Sequence, residues 1–397
     1  MQPKAGTEYF VNFWVTTTEP EILIPVGHEI ASEQFRLPIE PLTVAEHKAS
    51  GKTSVTTEGD EVKVSSSKMQ FVFNKKSGLV TSYKVNGTEY FTEGFGIQPN
   101  FWRGPNDNDY GNGQPKREQI WKQSSKDFKV ADVITEADGN NTVLTANYLL
   151  AAGNLYIVKY TIYPDGVVHA DITFTSTDME EGKTEVSEAT LMATFSPGQQ
   201  EARRAASKLV VPRIGVRFRL PADMNQVEYF GRGPGENYID RQRASFVDLY
   251  KTTADAMYTN NYVRPQENGH RTDTRWVELT RKNGKGLKIV ADQTIGFNAL
   301  RNSVEDFDSE EAVGKLRQWN NFTPEEIANR SEEKAKDVLR HMTHINDITP
   351  RNFVEVCVDM KQQGVAGFNS WGDRPLAEHT MPANQEYKWG FTLIPVK

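Results

Sequence analysis

The sequence predicts an all-β, antiparallel fold on three observations. Short segments alternate apolar and polar residues with a period of two. Gly, Pro and Asn turns separate them, and no regular succession of strand and amphipathic helix interrupts them. The alternation is what a sheet with one wet face requires. The missing strand–helix rhythm disfavours a parallel sheet or a (β/α)8 barrel. At 397 residues the chain is long enough for one large β domain and a smaller piece.

The elements follow in order. Tyr9-Phe-Val-Asn-Phe-Trp-Val-Thr reads as a strand, and Phe35-Arg-Leu begins another. Residues 43–67 turn polar, rich in Lys, Thr, Ser and Glu, and read as a linker or an exposed edge. A boundary is placed there, dividing the chain into 1–50 and 51–397. The front piece has too few strands to close a sandwich and is expected to be the tail of a truncated domain. Met69-Gln-Phe-Val-Phe and Leu79-Val-Thr-Ser-Tyr-Lys-Val are strands joined through Asn74–Gly78 and followed by an Asn86-Gly87 turn. Thr142–Tyr148 leads through Gly153-Asn154 to Leu155–Tyr163, and Pro164-Asp165-Gly166 turns that into Val167–Phe174. Asn283-Gly284 punctuates another pair. From about 309 to 344 the chain is charged and helix-like. There Thr323-Pro-Glu-Glu reads as an N-cap, a first-turn proline and a Glu at the third position. This is a short helical insertion between strands.

Composition limits the partners. The formal net charge is −7, with no block of Lys and Arg, so an acidic surface opposes nucleic acid. No apolar run is long enough for a membrane-spanning helix, and no membrane partner is expected. No signal peptide is visible, and the compartment, cytoplasmic or periplasmic, stays open. A single cysteine, Cys357, excludes an internal disulfide and a multi-Cys zinc site, and its strand context makes it a buried small hydrophobe.

Four clusters and one histidine pair carry candidate chemistry. In Phe101–Gly111 the Pro and Gly are expected to prevent regular structure, while Asn106, Asp107, Asn108 and Asp109 supply oxygens for turns, for a cation or for a sugar. In Tyr229–Arg241, Glu236 and Asp240 are either a glycosidase carboxylate pair or structural partners of Arg232, Arg241 and Arg243. Tyr262–Trp276 holds His270 beside Glu267, a tempting acid–base pair in a turn motif. His341 and His344 have helical metal-ligand spacing without an obvious carboxylate. In Gly364–Pro375, Trp371 sits among turn formers, either binding a ligand or covering the end of a sandwich.

These clusters, in this order, resemble the C-terminal domain of glycoside hydrolase family 2 β-galactosidases of the large, lactose-splitting type. The most specific parts are Arg103-Gly-Pro-Asn-Asp-Asn-Asp109, Gly233-Pro-Gly-Glu-Asn-Tyr-Ile-Asp-Arg241, Pro265-Gln-Glu-Asn-Gly269 and Asn369-Ser-Trp371. Gly27-His-Glu-Ile-Ala-Ser-Glu-Gln-Phe-Arg-Leu37 resembles the last strands of the immunoglobulin-like domain that precedes it. The resemblance implies a large antiparallel supersandwich of galactose mutarotase type over 51–397, preceded by immunoglobulin-like strands in 1–50.

It also implies a role in hydrolysing terminal β-D-galactosyl residues of lactose-type substrates. The catalytic glutamates, with magnesium and sodium, would sit in an absent (β/α)8 barrel. This chain would hold no catalytic residue, no metal and no cofactor, and alone would be inactive. Trp371 resembles the aromatic residue that lines the active-site mouth and stacks on the non-galactosyl part of the substrate. Gly111-Asn112-Gly113, after Asp107, Asn108 and Asp109, resembles the start of a mobile active-site loop. The implied partners are a galactoside and the barrel portion, on the same enzyme or on a large subunit, within a possible homo-oligomer. The 309–344 insertion is longer than the family leads one to expect, and the residues after Trp371 differ. The alternatives are a stand-alone aldose epimerase using His270 with Glu267, and a carbohydrate-binding module with Trp371 and Trp102 as its platform.

Overall fold

The computed structural model describes residues 4, 7–39, 47–175, 208–308, 344–369 and 372–397. Among them every strand pairing is antiparallel, as the alternating segments predict. Among the described residues no helix is long and apolar enough to cross a membrane, which says nothing about strands. The insertion at 309–344 falls outside the described residues, apart from His344.

Strands β1 (Phe10–Thr16) and β2 (Glu29–Arg36) form a separate two-stranded sheet. The second strand thus precedes Phe35 rather than starting there. Two strands alone are marginal in water. This pair leans on the large domain through Gln34, whose side chain exchanges hydrogen bonds with the Val247 backbone at 2.9 and 2.8 Å, and through a Glu8–Arg275 ion pair. Phe13, Trp14 and Phe35 remain more than half exposed.

Of the two readings of residues 43–67, linker or exposed edge, the exposed edge holds at 54–65, which form a hairpin. β3 (Ser54–Glu58) is exposed throughout, while β4 (Glu61–Ser65) buries Val62 and Val64. With β5 (Met69–Asn74), β6 (Leu79–Val85) and β7 (Thr88–Glu89) they make a five-stranded sheet. The low apolar content of β3 follows from its place at the edge, where a strand has only one paired neighbour. The expected turns are present: Asn86 and Gly87 both take positive φ (49° and 79°), the geometry a tight hairpin needs.

The large sheet has twelve strands among the described residues. They are β8 (Gln98–Asn100), β9 (Lys129–Asp138), β10 (Asn141–Leu149), β11 (Leu155–Ile162), β12 (Val168–Phe174) and β13 (Arg213–Pro221). The rest are β14 (Gln226–Gly233), β15 (Phe246–Thr253), β16 (Arg271–Thr280), β17 (Gly286–Leu300), β18 (Phe353–Gln362) and β19 (Tyr387–Val396). The main path runs β15-β14-β16-β17-β19-β12-β11-β10-β9, and a branch runs from β17 through β18 and β13 to β8. The branch point is in β17: Gly286–Ala291 pairs with β19, and Gly296–Leu300 with β18.

The five-stranded sheet packs its apolar face on β10–β12. Phe71 meets Tyr160 with ring centroids 5.4 Å apart, and the Tyr148 hydroxyl donates to the Gly78 carbonyl at 2.9 Å. Cys357 is buried, as expected, but on a strand covered on both faces rather than alternating.

Candidate functional site

The Asn/Asp cluster is not irregular. Asn106 caps helix α1 (Asp107–Gly111), followed by short helices α2 (Gln114–Arg117) and α3 (Gln119–Ser124). Gly104 and Pro105 lie in the irregular stretch after β8 and do not prevent the helix, because both fall before its first turn. The Asn106 side chain accepts from the Asp109 N–H at 2.8 Å, and Asp109 Oδ2 accepts from the Asn106 N–H at 3.1 Å. That reciprocal box satisfies donors the first turn would otherwise leave open.

Asp109 has a second partner. Arg103 Nη2 lies 3.0 Å from both carboxylate oxygens and Nε 3.2 Å from Oδ2, and both side chains are buried. A planar guanidinium on a carboxylate is the geometry in which burial of charge is tolerated. The remaining donors of Arg103 reach the carbonyls of Gln363 (2.7 Å) and Gly364 (3.1 Å). Asn106 and Asn108 both donate to the Val365 carbonyl at 3.4 Å.

From the other side, Asp240 accepts the N–H groups of Val365 (3.0 Å) and Ala366 (2.8 Å). Ala366 has φ 60°, a left-handed conformation costing a non-glycine residue about 1–2 kcal/mol. The Asp240 carboxylate offsets that cost. Gly364 makes this approach possible, since a Cβ there would lie 2.2 Å from Asp240 Oδ2.

The loop after α1 continues the clamp. Asn112 donates to the Asp373 carbonyl at 3.2 Å and is itself held by Arg117, which donates to its backbone oxygen at 2.7 Å. A Cβ on Gly372 would come within 2.3 Å of the Gly111 carbonyl carbon. Gly113, with φ 74°, turns the chain into α2. Beside it lies a cavity of about 150 Å³ whose lining includes Asn112, Arg117, Glu118, Lys208, Gln363 and Arg374. Burial pushes the Glu118 carboxyl up to about 7, against the opposing pull of Arg117.

Six of the seven candidate residues are therefore described. Asn108, Asp109, Gly111 and Asn112 touch the 365–373 segment or the groups that hold it, and Gly113 turns the loop. Asp107 points outward to Arg264 at 2.8 Å. Trp371 and Ser370 lie outside the described residues. Asn106 and Asn108 turn their amide N–H groups to the Val365 carbonyl, Asp109 is taken up by Arg103 and the Asn106 N–H, and Asp107 by Arg264, so these four do not present a shared set of oxygens to magnesium or sodium.

The other candidate pairs are structural. Glu236 accepts from Arg241 (2.8 Å), the Gly269 N–H (2.8 Å) and the Tyr262 hydroxyl, whereas Arg232 pairs with Asp273 rather than with either expected carboxylate. Glu267 and His270 are both buried. Glu267 is bound to Arg213 at 2.6 Å, and His270 stacks on Tyr238. Desolvation, with Arg213, Arg271 and Arg103 nearby, holds the His270 imidazole well below its usual range. Neither group faces solvent, so the pair is not arranged for an epimerase. Arg213 also meets Asp359 at 3.2 Å, where burial raises the carboxyl to about 7. Trp102 is buried and donates to Asp308 at 2.8 Å, which removes it as half of a sugar platform. His344 pairs with Asp347, while His341 is outside the described residues.

Sequence reading pairs Asp240 with Glu236 or with Arg232, Arg241 and Arg243, and names Arg103 only within a family motif; it assigns neither to the 363–366 backbone, which these two side chains fix. The charge pair Arg103/Asp109 within one motif was the available signal. Nothing local connects Asp240 with Val365.

Comparison with known proteins places these motifs. A family described as "Beta galactosidase small chain" matches residues 65–393. A β-galactosidase of Priestia megaterium is 28% identical over 372 residues, covering 93% of this chain and 30% of that protein. One from Halalkalibacterium halodurans is 24% identical over 388 residues, covering 97% and 32%. The chain thus spans about a third of the length of these relatives. Among solved structures, a putative mutarotase from Salmonella typhimurium is similar at 8% identity and a TM-score of 0.39, covering 87% of this chain and 94% of that one.

Proposed function

From the premise that this chain belongs to the β-galactosidase small-chain family, we propose that it is the non-catalytic, substrate-lining portion of a β-galactosidase. Its substrate would be a lactose-type β-galactoside, and its partner the portion carrying a (β/α)8 barrel with the catalytic glutamates. Magnesium and sodium would belong to that barrel. The observation that carries the reading is the clamp of the 103–113 loop on the 363–373 backbone. It joins two motifs about 260 residues apart in the sequence into one rigid surface.

Such rigidity is what a site-lining surface requires. Positioning groups assist a reaction only when held in place before the substrate arrives. Trp371 would serve as an aromatic wall for the leaving-group sugar. The 111–113 loop would border the same mouth. The front hairpin would be the end of an immunoglobulin-like sandwich, its exposed Phe13, Trp14 and Phe35 covered by strands of the upstream portion. An epimerase and a binding module both lose support from the burial of His270, Glu267 and Trp102.

Activity measurement tests the proposal. The purified chain alone should not hydrolyse a chromogenic β-galactoside, and mixing it with the barrel-bearing portion should produce turnover. Hydrolysis by the chain alone, surviving removal of host enzyme, would contradict it.

A further inference from the structure

We propose that His169, Asp171 and Asp292 form a binding site for a zinc-like divalent transition metal on the outer face of the large sheet. The site stands apart from the clamp described above and does not depend on the proposed function. His169 and Asp171 are two residues apart on β12 and therefore share its outward face. Across the ladder, His169 is opposite Thr392 and Asp171 opposite Gly390 on β19. Asp292 follows the last β17 residue paired with β19, where the sheet begins to branch.

The donor atoms are already gathered. His169 Nε2 lies 3.2 Å from Asp171 Oδ1 and 3.6 Å from Asp292 Oδ2. All three lie within 4.8 Å of one another. Ligands on a tetrahedron with bonds of about 2.0–2.1 Å are about 3.3 Å apart. The observed spacing meets that requirement with little movement. One imidazole and two carboxylates suit a borderline metal better than a hard, oxygen-only cation.

Two neighbouring residues shape the site. Thr392 Oγ1 lies 3.0 Å from His169 Nδ1, leaving Nε2 to face the carboxylates. Orientation of a ligating histidine through its second nitrogen is the usual support for a metal. Gly390 lets Asp292 cross β19, since a Cβ there would lie 2.2 Å from Asp292 Oδ2. A groove of about 490 Å³, lined in part by Asp171, Asp292, Gln293 and Thr294, leaves room for water as a fourth ligand.

A lone pair on Nε2 facing two carboxylates would be repelled, so that nitrogen carries either a proton or a metal. A metal would tie β12 and β17 across β19 beside the branch, and its binding energy would add to folding stability.

The distinguishing experiment is calorimetric titration of zinc into the metal-stripped full chain. One saturable equivalent is expected, with a raised unfolding temperature. Binding should be lost in His169→Ala and in Asp171→Asn, and weakened about tenfold in Thr392→Val. Asp171 is half exposed, so its variant keeps the test decisive should His169→Ala fail to fold. Cobalt(II) should give visible absorption bands that disappear in the same variants. No saturable binding, or binding unchanged in Asp171→Asn, would overturn the site and leave a protonated His169 between two carboxylates.

Discussion

Gly372 lies directly against the peptide joining Gly111 to Asn112; a Cβ at 372 would come within 2.3 Å of the Gly111 carbonyl carbon and 2.6 Å of the Asn112 nitrogen. Both obstacles are backbone, and Gly372 also has φ 96°, so neither space nor conformation suits a side chain. Gly372→Ala should destabilise the chain by about 1–3 kcal/mol. Denaturant unfolding measures this directly. In enzyme reconstituted with the barrel portion, the same change should raise KM for a galactoside.

Asp109→Asn tests the other half of the clamp. It leaves the Arg103 guanidinium buried against a neutral amide, and breaking a buried pair from one side costs about 3–5 kcal/mol. Asp107→Asn, two residues earlier, removes only an exposed carboxylate from Arg264 and should cost less than about 1 kcal/mol. Equal unfolding midpoints for the two variants would show that the buried fork does not hold the loop.

Glu118 should make stability depend on pH. Its carboxyl is raised from 4.5 to about 7 in the folded chain, so the folded state keeps a proton that the unfolded state releases near 4.5. The contribution is complete below 4.5 and is lost as pH rises through about 7. Glu118→Gln cannot titrate, so its stability relative to wild type should increase by up to about 3 kcal/mol between those limits and stay level above them. Unfolding curves at about pH 5 and about pH 8 measure the difference. A variant that loses stability relative to wild type as pH rises would contradict the sign.

The parts of the structure legible in the sequence are those decided locally. Asn86-Gly87, Pro164-Asp165-Gly166 and Asn283-Gly284 turn where they should because two or three residues set their backbone angles. Alternation in β11 and β12 announces one buried face. β3 is legible only as a linker or an exposed edge, because all five of its residues are exposed and no alternation marks it. Helix α1 is not legible in the same way, because Gly104 and Pro105 are breakers and only the Asn106/Asp109 capping box marks its start. The grip of Asp240 on Val365 and Ala366, and the meeting of His169 with Asp292, join residues more than 100 apart in the sequence. Only the sheet topology brings them together.

The most direct test of the central claim compares Trp371→Ala with wild type in enzyme reconstituted from this chain and the barrel portion. Two β-galactosides should be used, one with a sugar leaving group and one with a small alkyl group. The account predicts KM about tenfold higher for the sugar-bearing substrate, equivalent to about 1.4 kcal/mol, and little change for the other. Equal KM values for wild type and variant on both substrates would contradict it.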